Sequence, residues 1–109
     1  MISNKLRGYL GFSAKARQLS AGYNTCLTLI RKRRVKLLIV AEDAAENTID
    51  KMTQKCRSAG VPLRVFGKKD ELSGVTGRSG NSIFAVTDEN WGRVIREEID
   101  RQRSEGEVF

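Results

Sequence analysis

What the sequence lacks limits the chemistry that this protein can perform. None of its 109 residues is a histidine, so catalysis that uses an imidazole as acid, base or triad member is excluded. The two cysteines, Cys26 and Cys56, form no C-x-x-C pair, and a tetrahedral zinc site therefore has too few ligands. We expect a protein that is not an enzyme and that has no catalytic residue, no metal site, no cofactor and no small-molecule substrate.

Long apolar segments are also missing. The longest apolar run, residues 37–41, is far too short to cross a bilayer, and no apolar core of signal-peptide length precedes it. Cys26 lies four residues before Ile30 and Cys56 four residues after Met52, which places both thiols on apolar helix faces. Buried, reduced thiols are favoured over a disulfide. We expect a cytoplasmic monomer that does not contact a membrane.

Acidic residues are absent from the first part of the chain. Residues 1–41 contain nine cations and no carboxylate, residues 42–87 seven and six, and residues 88–109 four and seven. The net charge of +7 is therefore concentrated toward the N-terminal part. Because a surface that serves only solubility normally intersperses the two signs, this distribution favours an anionic partner.

Apolar spacing predicts alternating helices and strands, with Ser3 or Asn4 as the cap of the first helix and Thr87 or Asp88 as the cap of the last. Helices are predicted over residues 4–16, from 22 into a basic turn, from about 46 to 59, and from 88 to about 100, with a short helix or turn at 67–74 and a loop at 75–82. Extended segments are predicted at 18–21, 36–41, 63–66 and 83–86. The α/β fold class follows, as a three-layer α/β/α sandwich around a small four-stranded mixed sheet. We expect one domain over residues 1–103 and a flexible tail over 104–109, with fraying from residue 101.

One stretch, residues 22–43, combines a helix start, a basic turn and a buried strand. A helix start offers backbone N–H groups and a positive dipole end, both of which suit anions. Five cations follow within one short element: Arg31, Lys32, Arg33, Arg34 and Lys36. Capping of the helix by Asn24 is a purely structural alternative, and the cations could simply offset the dipole at the helix end. Four consecutive cations without a nearby carboxylate favour contacts with an anionic polymer.

Four segments resemble a known family. They are LGFSAKARQLSAG (10–22), VKLLIVAEDAAENT (35–48), GVPLRVFGKKDEL (60–72) and FAVTDEN (84–90), and their order and spacing are similar to those of the bacterial YlxQ family. That family belongs to the superfamily of ribosomal proteins seven-Ae and thirty-e, which bind kink-turn RNA. The resemblance runs from residue 6 to about 99. It implies a three-layer α/β/α fold and binding of a structured, kinked RNA in a ribosomal or regulatory context, with the ribosome as an expected partner.

The resemblance also implies which residues bind RNA. The superfamily pattern Gly-x-Asn-Glu falls on residues 22–25, where Thr25 replaces the acid that reads guanine, and Thr28 replaces a lysine one turn later. A threonine hydroxyl can still donate or accept a hydrogen bond at a base edge. The loop at 77–82 falls where relatives cover an extruded base, and here it is polar. The residues expected on RNA are Gly22, Tyr23, Asn24, Thr25, Thr28, Arg31, Lys32, Arg33, Arg34, Lys36, Glu42, Arg78, Ser79 and Asn81.

Two other classes of function are compatible with the sequence. A metal-dependent nuclease could use Glu42 and Asp43, but two adjacent acids without a third are more typical of helix capping or of contacts with basic side chains. A Walker loop at 74–82 is excluded because Arg78 replaces the lysine and a strand follows. The main alternative to RNA binding is a protein-interaction module on a ribosome or transcription complex.

Overall fold

A computed structural model of the chain describes the backbone of residues 2–107 and the side chains of residues 2–103. Helices and strands alternate through it. In chain order they are α1 (Asn4–Lys15), β1 (Leu19–Ala21), α2 (Tyr23–Arg31), β2 (Leu37–Val40), α3 (Glu46–Ala59), β3 (Leu63–Val65), α4 (Lys69–Thr76), β4 (Ile83–Val86) and α5 (Glu89–Glu107).

The four strands form one mixed sheet in the order β1-β4-β2-β3. Strand β4 is antiparallel to both β1 and β2, while β2 and β3 are parallel. In the register, Ala21 pairs with Phe84 and Val40 with Ile83, whereas Leu19 and Leu37 both pair with Val86. The end of β1, the end of β2 and the start of β4 therefore meet at one end of the sheet, and the starts of β1 and β2 lie at the other.

Helices cover both faces of the sheet. Residues of α1, α4 and α5 pack on one face, in a core that includes Leu37 and Ile39 of β2. Residues of α2 and α3 pack on the other face, with Leu38 and Val40. All four residues of β2 are buried, as expected for a strand covered on both sides. The predicted three-layer α/β/α sandwich with a four-stranded mixed sheet is confirmed.

Several local predictions are also confirmed. The Ser3 hydroxyl accepts a hydrogen bond from the Leu6 N–H and caps α1, and the Asp88 carboxylate accepts one from the Trp91 N–H at the start of α5. Both cysteines are free and buried. Burial, with a smaller contribution from Cys56, raises the pKa of Cys26 to about 12, and burial raises the pKa of Cys56 to about 11. At neutral pH the thiols are protonated and weakly nucleophilic.

Two helices extend beyond their predicted ends. Helix α4 continues to Thr76, so the loop before β4 covers only residues 77–82. Helix α5 continues to Glu107, through residues that the sequence predicts as a frayed tail from 101 onward, because polar residues alone do not show where a helix stops. Residues 108 and 109 lie outside the described residues, and flexibility of 104–109 stays a prediction. No helix in the described part of the chain is long and apolar enough to cross a membrane.

Candidate nucleic-acid interface

The residues predicted to bind RNA lie at two different ends of the sheet. The helix-start end is formed by the first residues of α2, from Gly22 to Thr25, together with the loop 77–82 that precedes β4. The basic end is formed by the residues that follow α2, from Arg31 to Lys36, near the start of β2. Helix α2 has nine residues, which corresponds to roughly 13 Å. The sequence joins these two groups in one stretch, whereas the fold separates them.

Gly22 makes the turn into α2 with a backbone that other residues rarely adopt. Its φ is 110° and its ψ is 149°, a combination that is essentially restricted to glycine. The Gly22 N–H donates to the Ile83 carbonyl at 3.0 Å. A Cβ at this position would lie 3.5 Å from Oδ1 of Asn81. Gly22 therefore holds the start of α2 directly against the chain that enters β4.

A shallow depression of about 230 Å³ lies between the start of α2, the start of α3 and the loop 77–82. Tyr23 is 37% exposed at its edge, one of the two large exposed hydrophobic residues among the described side chains. The residues that line it are Gly22, Tyr23, Thr48, Gly80, Asn81, Ser82 and Ile83. Thr48 was not predicted, because nothing near it in the sequence indicates that α3 packs beside α2.

Asn24 and Thr25 are exposed in the first turn of α2. The capping position is Gly22, which has no side chain to accept a hydrogen bond, and Asn24 is the second residue of the helix. The alternative in which Asn24 caps the helix is therefore wrong. Since the first N–H groups of a helix have no intrahelical acceptor, backbone donors and two polar side chains are presented together beside the depression.

The loop 77–82 is held by its own hydrogen bonds. The Asn81 amide donates to the carbonyls of Arg78 and Ser79 at 3.1 and 3.2 Å, and the Ser73 hydroxyl donates to the Asn81 carbonyl at 3.0 Å. Nη2 of Arg78 donates to the Ala14 carbonyl at the end of α1, at 3.4 Å. The Arg78 guanidinium thus lies against α1 and is not among the groups that line the depression.

At the basic end, the four consecutive cations do not continue the helix. Helix α2 ends at Arg31, and the Arg33 and Arg34 N–H groups donate back to the carbonyls of Ile30 and Leu29. Arg33 adopts a left-handed conformation with φ 58°. On α2 itself, Nη2 of Arg31 donates to the Thr28 hydroxyl at 3.4 Å. The backbone turn spreads the exposed side chains of Arg31, Lys32, Arg33 and Arg34 around the end of the helix.

Glu42 and Asp43 have structural contacts. Glu42 accepts a hydrogen bond from the Gly67 N–H at 2.9 Å and lies 3.8 Å from the Lys68 ammonium. Asp43 accepts one from the Lys69 N–H at 2.9 Å. Both carboxylates hold the turn between β3 and α4. In the part of the chain that the structure describes, no group of three or more potential metal ligands occurs.

Most of the chain is similar in sequence to known proteins. The sequence profile of the ribosomal protein L7Ae/L30e/S12e/Gadd45 family matches residues 4–94. The chain is 31% identical over 91 residues to the RNA-binding protein YlxQ of Bacillus subtilis (strain 168), covering 84% of this chain and 91% of that protein. It is 26% identical over 96 residues to the RNA-binding protein YlxQ of Enterococcus faecium, covering 88% and 92%.

Solved structures share the fold. A protein of unknown function from Bacillus halodurans matches with a TM-score of 0.86 and 30% identity, covering 90% of this chain and 99% of that one. A 15.5 kD RNA-binding protein of Giardia lamblia matches with a TM-score of 0.75 and 19% identity, covering 92% of both chains. The second likeness concerns the fold alone.

Proposed function

The chain belongs to the ribosomal protein L7Ae/L30e/S12e/Gadd45 family, as a relative of the bacterial YlxQ proteins, and from this membership we propose that it is a non-enzymatic RNA-binding protein. Its ligand is a kinked or internally looped RNA in a ribosomal or regulatory context, which it binds as a monomer. Two relatives carry the name RNA-binding protein, and the same class of ligand suits the exposed groups at the helix-start end.

The observation that carries this proposal is the meeting of α2 with the loop 77–82. Gly22, exposed Tyr23 and Asn81 converge there on one depression. A bent RNA exposes unstacked bases, which aromatic side chains stack on and amide side chains hydrogen-bond. The start of α2 adds N–H donors and a positive dipole end for a phosphate. The site therefore offers contacts to unstacked bases, which an irregular RNA exposes and a regular duplex does not expose.

The predicted residues have several different roles. On α2, three polar side chains contact the RNA at its bend: Asn24, Thr25 and Thr28. The cations from Arg31 to Lys36 contact phosphates farther along the RNA. Ser79 and Asn81 shape the loop at the other side of the depression. Arg78 reaches RNA only if its guanidinium leaves the Ala14 carbonyl, and Glu42 acts by fixing the adjoining turn.

Replacement of Asn24 by alanine tests the proposal. Asn24→Ala should reduce the discrimination between a kinked RNA and a plain duplex by about 1 to 3 kcal/mol, taking base-edge contacts as a guide. Because Asn24 is exposed and does not cap the helix, the variant should unfold at the same temperature as the wild type. The measurement is the affinity for both RNAs at one fixed salt concentration.

Asn90→Ala is the matched control. Asn90 is likewise exposed and is likewise the second residue of a helix, α5, but it lies at the other end of the sheet. The control should leave discrimination unchanged. Equal losses on kinked and plain RNA in Asn24→Ala, or no preference of the wild-type protein for the kinked RNA, would contradict the proposed function.

A further inference from the structure

A continuous groove crosses the basic end of the molecule. It consists of three shallow depressions of about 310, 270 and 230 Å³. The first and second share Ile30, Arg33 and Ala59, and the second and third share Lys36 and Pro62. Because neighbouring depressions have residues in common, they form one surface that runs from the ends of α2 and α3, past the start of β2, to the start of α5.

Cations from four different elements or their ends line this groove. Six basic side chains contribute, and the only carboxylate among its lining residues is Glu89. Three of the six, on α3 and α5, were not predicted as ligands. The six are Arg31, Arg33, Lys36, Lys55, Arg93 and Arg96. The charge of the basic end is therefore larger than the run after α2 and is assembled by tertiary packing.

Close packing fixes the two halves of the groove together. Gly92 of α5 is buried against Lys36, and a Cβ at residue 92 would lie 2.9 Å from the Lys36 Cβ. The Lys36 N–H in turn donates to the Val86 carbonyl at 2.8 Å. On α5, Arg93 forms an exposed ion pair with Glu97 at 3.4 Å. The absence of a side chain at Gly92 thus brings the arginines of α5 up to the start of β2.

The composition of the groove suits a polyanion better than a protein surface. Protein interfaces are centred on apolar or aromatic side chains. Among the described side chains, the large exposed hydrophobic residues are Phe12 and Tyr23, and neither lines the groove. Several cations along an open groove instead match successive phosphates of a nucleic-acid strand, which are contacted without reading bases.

We propose that this groove binds the phosphate backbone of a double-helical RNA segment, as a second contact surface separate from the helix-start end. A kinked RNA places two helical arms on different sides of its bend, so one protein can grip the bend and one arm at once. The proposal rests on the proposed function for its choice of RNA. It needs no base recognition, and the groove should therefore also bind plain duplex RNA.

Duplex binding as a function of salt tests the groove directly. The probe is a plain RNA duplex of about 16 base pairs, a length that spans two minor grooves. The slope of log K against log salt is negative, and each lost phosphate contact reduces its magnitude by about 0.7 to 0.9. The double variant Lys55→Ala/Arg93→Ala should therefore lower the slope by roughly 1.5 and weaken binding roughly tenfold at low salt.

Two further variants control for charge and for folding. Lys5→Ala/Arg57→Ala removes the same charge from exposed positions on α1 and α3 that do not line the groove, and it should change the slope by less than a third as much. Lys55→Arg/Arg93→Lys retains the charge and should keep the wild-type slope. Circular dichroism of each variant shows whether it is folded.

The outcomes separate this proposal from the proposed function. Equal slopes for the groove variant and its charge control would overturn the groove as a surface that binds RNA. A wild-type protein that does not bind the duplex even at low salt would also overturn it. If the groove variant loses slope on the duplex but the wild type shows no preference for kinked RNA, the groove stands and the proposed function fails. Asn24→Ala should leave duplex binding unchanged.

Discussion

The two ends of the sheet differ in the kind of contact that they offer. At the helix-start end, the first residues of α2 and the loop 77–82 present N–H groups, the Tyr23 ring and amide and hydroxyl side chains around a depression. At the basic end, six cations line a groove with one carboxylate. Uncharged polar groups can distinguish one RNA shape from another, whereas cations bind any backbone. The comparison indicates a division between recognition and positioning.

This difference also shows how a short helix can serve two tasks. Asn24 and Arg31 lie on the same nine-residue helix, and its dipole is positive where Asn24 lies and negative where Arg31 lies. The start of α2 therefore attracts phosphate through the backbone, while the end of α2 does so only through side chains. Changes that affect one end and spare the other can test this division.

The largest effect is expected from Gly92→Ala. The added methyl group would lie 2.9 Å from the Lys36 Cβ, so α5 must move away from β2, at a cost of about 1 to 3 kcal/mol in the free energy of unfolding. The shift should also lower the salt slope on duplex RNA, while discrimination of kinked RNA at the other end persists. Chemical denaturation and salt titration measure the two effects.

Gly74→Ala provides the comparison for that variant. Gly74 is an exposed helical glycine of α4 with open space where a Cβ would lie, and its replacement should stabilise the protein by up to about 1 kcal/mol. If Gly92→Ala is as stable as Gly74→Ala, close approach of α5 does not hold the groove together.

Arg33→Gly should have a smaller effect, which raises the stability of the protein but weakens its binding to RNA. A left-handed conformation is unfavourable for any residue with a Cβ, so glycine at φ 58° should raise the free energy of unfolding by about 0.5 to 1 kcal/mol. The same change removes one cation and should lower the salt slope by about one unit. Arg34→Gly, at a neighbour without the positive φ, should lose stability. A salt slope equal to that of the wild type would remove Arg33 from the groove.

The smallest effect concerns a pair that joins α5 to the edge strand. Arg64 of β3 donates two hydrogen bonds to Asp100, at 2.7 and 3.0 Å. These bonds, with a smaller contribution from the charge of Arg64, outweigh the opposing effect of burial and hold the pKa of Asp100 below its ordinary value. Because the Asp100 side chain is 43% exposed, solvent screening limits the contribution to about 0.5 to 1 kcal/mol.

This contribution should depend on pH in one direction. A carboxylate whose pKa is lowered by folding stabilises the protein above its unfolded pKa and ceases to do so as pH falls through the folded pKa. Asp100→Asn should therefore be less stable than the wild type at neutral pH, with a difference that shrinks below about pH 4. The measurement is the unfolding temperature of the wild type and of Asp100→Asn between pH 2 and 7. A difference that stays constant over this range would show that the pair does not act through ionised Asp100.

Much of the fold could be read from local patterns. The apolar run of β2 predicted a strand covered on both faces. Ser3 and Asp88 were each one of two candidate helix caps, recognised because capping depends on a residue and its next turn. The end of α4 was placed too early, since Gly74 is compatible with a helix as well as with a loop. Family membership confirms the resemblance that was read from four segments.

The candidate site was only partly accessible from the sequence. Gly22, Asn24 and Tyr23 were identified by the superfamily pattern, but Thr48 belongs to the same depression only because α3 packs beside α2. Arg78 was expected at the RNA, and its hydrogen bond to Ala14 could not be foreseen, since the two residues are far apart in the chain.

By itself, the sequence determined the order of helices and strands, the buried thiols and the excess of positive charge before residue 42, because these depend on residue type and spacing along the chain. Only the tertiary structure decided that Asn24 and Arg33 lie at different ends of the sheet and that Lys55, Arg93 and Arg96 join the cations after α2. The physical reason is the packing of helices on both faces of one sheet. It sets which element ends meet, and no local pattern carries that information.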